Sequence, residues 1–300
     1  MGKIAFVFAG QGAQSIGMGR DLYDNFDSAR RLLEQSKPIQ NLCFNGPKEQ
    51  LDRTINTQPA LFLVDLACSA ALAEQGVTAA GAAGFSLGEI PAACFSGLME
   101  LSQAFDFVCH RARVMQECSE RHKGSMFAVV KLSSNQVERI CRMIPQTYPV
   151  NYNCPGQTVV ACAEKSAAPL QKAVLESGGQ AIKLTVGGAF HSPFMDTASE
   201  SIAAYLENES LSKTHIPLYS NVTAELYDNP KELLAKQVNH PVLWQNTIEN
   251  MITDGFDPFI EVGPGKTLSG LIKKINSDVR VYTVSDIPSL KTTVKELENA

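Results

Sequence analysis

Gly84-Phe85-Ser86-Leu87-Gly88-Glu89 decides how this sequence is read. It fits the G-x-S-x-G nucleophile elbow, a sharp turn from strand to helix that exposes a serine hydroxyl. The flanks suit that turn. Residues 79–83 are small enough for a buried strand end, and Ile90-Pro91-Ala92-Ala93-Cys94-Phe95 can continue as an apolar helix. Pro91 falls within the first turn or so, where a missing N–H loses no intrahelical bond. Ser86 then stands at a helix N-terminus, where the dipole and free N–H groups favour developing negative charge. The same six residues also read as a plain Gly/Ser turn, so the weight of the reading lies in the rest of the chain.

Upstream, Lys3-Ile4-Ala5-Phe6-Val7-Phe8 reads as a buried strand running into Ala9-Gly10-Gln11-Gly12-Ala13-Gln14. Ser15 stands where a G-x-G-x-x-G fingerprint needs its third glycine, so a dinucleotide loop is not indicated. What remains is a tight loop, either a simple turn or a set of amide donors near a reacting carbonyl. Residues 15–55 read as irregular helix with breaks at Pro38 and Gly46-Pro47. Thr57-Gln58-Pro59 is expected to start a long apolar core helix over 60–74, with Gly76 as its C-cap. Downstream, 102–118 reads as a second long helix. Its two central arginines, Arg111 and Arg113, are two apart and cannot share a face, so one can enter a cleft while the other meets water.

From Lys123-Gly124-Ser125 the texture changes. Strand, helix, strand, strand, helix, strand follow between 126 and 186, a ferredoxin-like β-α-β-β-α-β series. The fold expectation is therefore α/β. A large α/β-hydrolase-like domain with a parallel-rich sheet occupies 1–122 and 188–300, and a small ferredoxin-like domain is inserted at 123–187. After 187 come a glycine-rich loop, a helix to about Glu207, a strand near 216–222, two helices over 231–253, a strand at 259–262, and a closing strand and helix. Gly263-Pro264-Gly265-Lys266-Thr267 looks like a phosphate-binding P-loop but fails the test, because Ile260 occupies the position of the required first glycine.

The composition of the 300 residues sets limits. Hydrophobic content of 44% and charge of 19% are those of a soluble globular protein, and the net charge of −5 argues against nucleic acid or an anionic membrane as partner. Eight scattered cysteines with no C-x-x-C pair make structural disulfides and zinc unexpected and fit a reducing cytoplasm. No signal peptide is visible, and Asp65 and Glu74 interrupt the best membrane-spanning candidate.

A serine nucleophile needs a base, and five histidines are available. His110 lies mid-helix, His122 in a charged linker, His215 before a Pro-led strand and His240 before Pro241. His191 sits in a Gly-rich loop with aromatic and Pro neighbours and is the best placed. No Asp stands in an obvious triad-completing position, so the group orienting the imidazole is either a carboxylate elsewhere or a backbone carbonyl.

Taken in order, Gln11 in Gly-Gln-Gly-Ala-Gln, Thr57-Gln58-Pro59-Ala60, the Ser86 elbow, Arg111 with Met115-Gln116, Asn151-Tyr152-Asn153-Cys154-Pro155-Gly156-Gln157, Ala189-Phe190-His191-Ser192 and Glu261-Val262-Gly263-Pro264-Gly265 resemble the malonyl-CoA:acyl-carrier-protein transacylase family and the acyltransferase domains of polyketide synthases. The resemblance spans nearly the whole chain. It implies Ser86 as nucleophile, His191 as general base, the N–H groups of Gln11 and Leu87 as oxyanion hole, and Arg111 as the grip on the malonyl carboxylate. It further implies that the backbone at Gln237 orients His191, that Asn153 lines the cleft, and that Phe190 crowds the α-carbon in favour of malonyl over methylmalonyl. The family usually has His just before the nucleophile; this chain has Phe85.

The implied activity is ping-pong transfer of malonyl from malonyl-CoA to acyl carrier protein in fatty acid biosynthesis, by a cytoplasmic monomer with no metal and no bound cofactor. The nearest alternatives are a polyketide or malonate decarboxylase acyltransferase. In another class, the elbow alone also permits a serine hydrolase or thioesterase.

Overall fold

The computed structural model describes residues 2–299. In chain order the elements are β1 (Lys3–Phe8), α1 (Arg20–Asn25), α2 (Asp27–Leu33), α3 (Lys37–Asn45), α4 (Lys48–Leu51), α5 (Thr54–Glu74), β2 (Gly81–Gly84), α6 (Glu89–Phe95) and α7 (Leu101–Arg121). They continue as β3 (Gly124–Val130), α8 (Ser134–Met143), β4 (Thr147–Cys154), β5 (Gln157–Ala163), α9 (Ala167–Glu176), β6 (Gln180–Lys183) and α10 (Asp196–Glu207). The chain ends with α11 (Pro230–Lys236), α12 (Trp244–Thr253), β7 (Phe256–Val262), α13 (Thr267–Ile275), β8 (Val281–Val284) and α14 (Ile287–Glu298).

Two compact units emerge. The first holds residues 1–112, 211–219 and 250–300; the second holds 113–210 and 220–249. The first is built on a four-stranded sheet in the order β2-β1-β7-β8, with every pairing parallel. Register aligns the strand ends: Phe8 pairs with both Gly84 and Val262, and Val262 pairs with Val284. The loops that follow these residues therefore leave from one edge, the carboxyl edge where open α/β sheets carry their sites. β1 is buried from Ala5 to Phe8 and all four residues of β2 are buried, as a parallel strand covered on both faces requires.

α5 supplies much of this unit's core. It begins at Thr54, six residues earlier than Pro59 suggests, and carries that proline inside it. Thr57 Oγ1 donates to Leu51 O and Arg53 O and secures the first turn. Among the described residues α5 is the one helix long and apolar enough to cross a membrane, but 83% of its most apolar window is buried inside the protein. Asp65 lies fully buried within it, and neither carboxylate oxygen has a hydrogen-bond partner. Burial, with Glu261 nearby, pushes its carboxyl well above the usual carboxylate range. Glu261 itself accepts the N–H groups of Leu268 and Ser269 at the start of α13.

The second unit contains an antiparallel sheet in the order β4-β5-β3-β6. With α8 and α9 this is the expected β-α-β-β-α-β series. Its core includes Phe127, Val129, Val137, Val160, Leu170 and Val174. Sheet and helices fall inside the 123–187 segment, while the compact unit around them is wider. Residues 220–249 join it through an isolated parallel bridge between Asn151 and Val242, which extends the edge at β4.

Two local expectations are corrected. Pro38 opens α3 in its first turn instead of breaking a helix, because a proline there displaces no donor. The strand expected near 216–222 is a single bridge between Ala82 and Leu218, since Pro217 offers no N–H and the chain turns back through Ser220 N–H to Glu225 O. All eight cysteines are free. Burial pushes the thiols of Cys43, Cys94 and Cys141 to about 12 and those of Cys109 and Cys162 to about 11.

Candidate active site

In the first unit, β2 delivers the elbow. Phe85 is extended and its N–H donates to Phe8 O at 3.1 Å; Ser86 then turns left-handed at φ 52°. A single 3-10 turn, Ser86–Gly88, leads directly into α6. Both flanking glycines are sterically required. A β-carbon on Gly84 would stand 1.9 Å from the Gly88 carbonyl, and one on Gly88 would stand 2.1 Å from Phe8 O. The G-x-S-x-G spacing is thus a consequence of backbone crossing backbone.

The loop after β1 leaves beside this turn. Gly10 lies under Phe85, whose ring would be 3.2 Å from a β-carbon there. Gln11 follows, half-buried, with its side-chain Nε2 donating to Thr54 Oγ1 at 3.2 Å. Leu87 is fully buried in the turn after Ser86. Arg111, midway along α7, is 1% exposed, and its Nη1 donates to Gln58 Oε1 at 2.6 Å. Arg113 is exposed and paired with Glu117 at 3.2 Å. The two arginines therefore divide as their spacing requires.

In the second unit, His191 is 3% exposed and also left-handed, at φ 60°. Its N–H donates to Val238 O at 2.9 Å, and its Nδ1 lies 2.8 Å from Gln237 O. A carbonyl oxygen only accepts, so Nδ1 carries the proton and the lone pair sits on Nε2, the tautomer of a general base. Gln237 Nε2 in turn donates to Asn221 Oδ1 at 3.4 Å. Phe190 is buried beside His191 in sequence, and Asn153 on β4 is buried with its Oδ1 lacking a partner. Of the other histidines, His122 and His215 are exposed and His110 and His240 are half-buried. His240 Nδ1 faces Lys236 O and Asn239 Oδ1 at 3.1 and 2.7 Å. Among the described residues no group of three or more His, Cys, Asp or Glu forms a metal cluster.

Ser86, Leu87, Gln11 and Arg111 thus belong to one unit, and His191, Gln237, Phe190 and Asn153 to the other. Sequence reading assigned no role to Gln58, Thr54 or Asn221. The signal for Gln58 was present, since a polar residue entering an otherwise apolar helix needs a buried partner.

Comparison with known proteins places these residues in context. The family described as acyl transferase domain matches residues 5–299. A malonyl CoA-acyl carrier protein transacylase of Bacillus subtilis is 33% identical, covering 99% of this chain and 98% of its own length. The crystal structure of a malonyl CoA-acyl carrier protein transacylase from Clostridium perfringens is 38% identical, covers 99% of this chain and 98% of that one, and superposes with a TM-score of 0.95. A malonyl-transacylase solved in complex with its type II PKS acyl-carrier protein is 30% identical, with coverages of 98% and 99% and a TM-score of 0.94.

Proposed function

This chain belongs to the acyl transferase domain family and, within it, to the malonyl CoA-acyl carrier protein transacylases, and from that we propose that it moves a malonyl group from malonyl-CoA to the phosphopantetheine thiol of an acyl carrier protein in fatty acid biosynthesis. Ser86 Oγ attacks the thioester carbonyl while His191 Nε2 takes its proton. The resulting oxyanion is held by the N–H groups of Gln11 and Leu87, each worth about 10²- to 10³-fold. Collapse breaks the carbon–sulfur bond, His191 protonates the departing coenzyme A thiolate, and the malonyl ester remains on Ser86. The carrier thiol then attacks that ester, giving its proton to His191, which returns it to Ser86.

Arg111 carries this reading. A guanidinium 1% exposed, in the same unit as Ser86 and oriented by the neutral amide of Gln58, suits two-pronged pairing with a free carboxylate. A simple esterase gains nothing from it. Phe190 and Asn153 shape the acyl pocket. No metal or bound cofactor takes part, and the protein works as a cytoplasmic monomer without membrane or nucleic acid. The relative crystallised with a polyketide carrier keeps polyketide synthesis as the second reading of pathway.

Mass spectrometry of the protein mixed with malonyl-CoA tests the reaction. A malonyl ester that persists on Ser86 and passes to added holo carrier protein is expected. Rapid release of free malonate, with no ester accumulating and none reaching the carrier, would make the protein a hydrolase.

A further inference from the structure

One shielded polar contact joins the loop carrying Gln11 to the start of α5, and the reaction steps above do not use it. Gln11 Nε2 donates to Thr54 Oγ1 at 3.2 Å across 43 positions of sequence, and Thr54 is 3% exposed. Three residues on, Gln14 repeats the reach. Its Nε2 donates to Asp52 Oδ1 at 3.0 Å, and its Oε1 accepts the Gly12 N–H at 2.8 Å. Both glutamines thus tie one loop to residues 52–54.

The anchor they grip is itself tied by hydrogen bonds. Lys48 Nζ holds both oxygens of Asp52 at 2.8 Å, and Asn56 Nδ2 donates to Gln50 O at 2.8 Å. Thr57 Oγ1 closes onto Leu51 O and Arg53 O at 2.5 and 3.0 Å. The Gln14–Asp52 bond is exposed and competes with water, whereas the Gln11–Thr54 bond is part-buried and its hydroxyl is shielded, so it is the more directional of the two ties.

We infer that Thr54 is a positioning residue: through the Gln11 side chain it fixes the peptide whose N–H meets the oxyanion. The inference rests on the acyl-transfer reading, in which Gln11 contributes its backbone and its side chain is left to serve as a strut. Oxyanion donors act because they are in place before charge develops, and a displacement of about 1 Å at a reacting centre costs on the order of 10²-fold.

Thr54→Val keeps the shape and removes the hydroxyl; Thr54→Ser keeps the hydroxyl. Single-turnover acylation of Ser86 by malonyl-CoA is the measurement. Thr54→Val is expected to lower the rate at saturation by about 10- to 100-fold. The half-saturating concentration should stay within about threefold, because ground-state binding is untouched. Thr54→Ser should restore the rate. Gln11→Met, which retains the peptide N–H, should lose as much, and the double variant no more than either single one. An unimpaired Thr54→Val, an equal loss in Thr54→Ser, or a loss confined to half-saturation overturns the proposal. Should Thr54→Val melt at a much lower temperature, Gln11→Met, at a half-buried position, decides alone. A wild-type protein forming no malonyl ester overturns the acyl-transfer reading and this proposal with it; an esterified wild type beside an unimpaired Thr54→Val overturns this proposal only.

Discussion

The turns that present Ser86 and His191 share a backbone signature and are built in opposite ways. Both residues are left-handed, at φ 52° and 60°, a conformation costing a non-glycine residue on the order of 1–3 kcal/mol. The Ser86 turn is imposed by regular structure: β2 in register with β1, two glycines that admit backbone against backbone, and a helix beginning at once. The His191 turn belongs to no strand or helix of any length. It is clasped from a distant segment, by Val238 O on its N–H and Gln237 O on its ring, and closed locally by Ser192 Oγ donating to Ala189 O at 2.6 Å. The Ser86 turn therefore depends on glycines at the crossing, Gly84 and Gly88 within it and Gly10 beneath it, where a β-carbon would stand 2.5 Å from Phe85 O. A base held by a clasp depends on peptide groups some 46 residues away.

The largest expected effect comes from removing either presented group. Ser86→Ala should abolish the malonyl adduct with the fold intact, as circular dichroism and intact mass can check; stoichiometric acylation elsewhere would move the nucleophile. His191→Ala should slow acylation by about 10²- to 10⁴-fold. His240→Ala should matter far less, and stopped-flow bursts in the reverse order would transfer the role to His240.

Arg111→Ala tests whether the sheet-held unit also chooses the acyl group. Leaving the malonyl carboxylate unpaired costs about 2 to 5 kcal/mol, while acetyl-CoA carries no such charge. The preference for malonyl over acetyl in a competition assay should collapse; if it survives, Arg111 is structural. The smallest effect is expected at Phe85→His, inside the sheet-held turn. Since Phe85 packs over Gly10 and takes no proton, the acylation rate should change by less than about tenfold. A deeper loss would show that this ring, too, holds the nucleophile.

The same contrast explains what the sequence revealed. The elbow was legible because its two glycines stand four residues apart around the serine, a spacing that the crossing of Gly84 against Gly88 demands, and the second sheet because its strands and helices follow in simple order. Position singled out His191 only as the best placed of five histidines, since it sits in a loop without period and its ring partner is a carbonyl, which leaves no side-chain trace. Resemblance to the family supplied Gln237. The Thr54–Gln11 pair was invisible, as two ordinary polar residues 43 apart carry no pattern. Pro38 and Pro59 misled in a consistent way: each was read as a boundary, and each lies inside a helix.

The solitary carboxyl of Asp65 makes folding of this protein a reaction that takes up a proton. Exposed in the unfolded chain, the group ionises near pH 4. Once buried among α5 side chains with Glu261 nearby, it favours the neutral acid. Over the interval between those two affinities the folded state holds the proton that the unfolded state has released, so this residue lowers stability as pH rises through it. An enthalpy of unfolding measured in buffers of differing ionisation heat therefore carries a buffer contribution from Asp65, and hydrogen ion joins temperature and denaturant as a variable that sets where the chain melts.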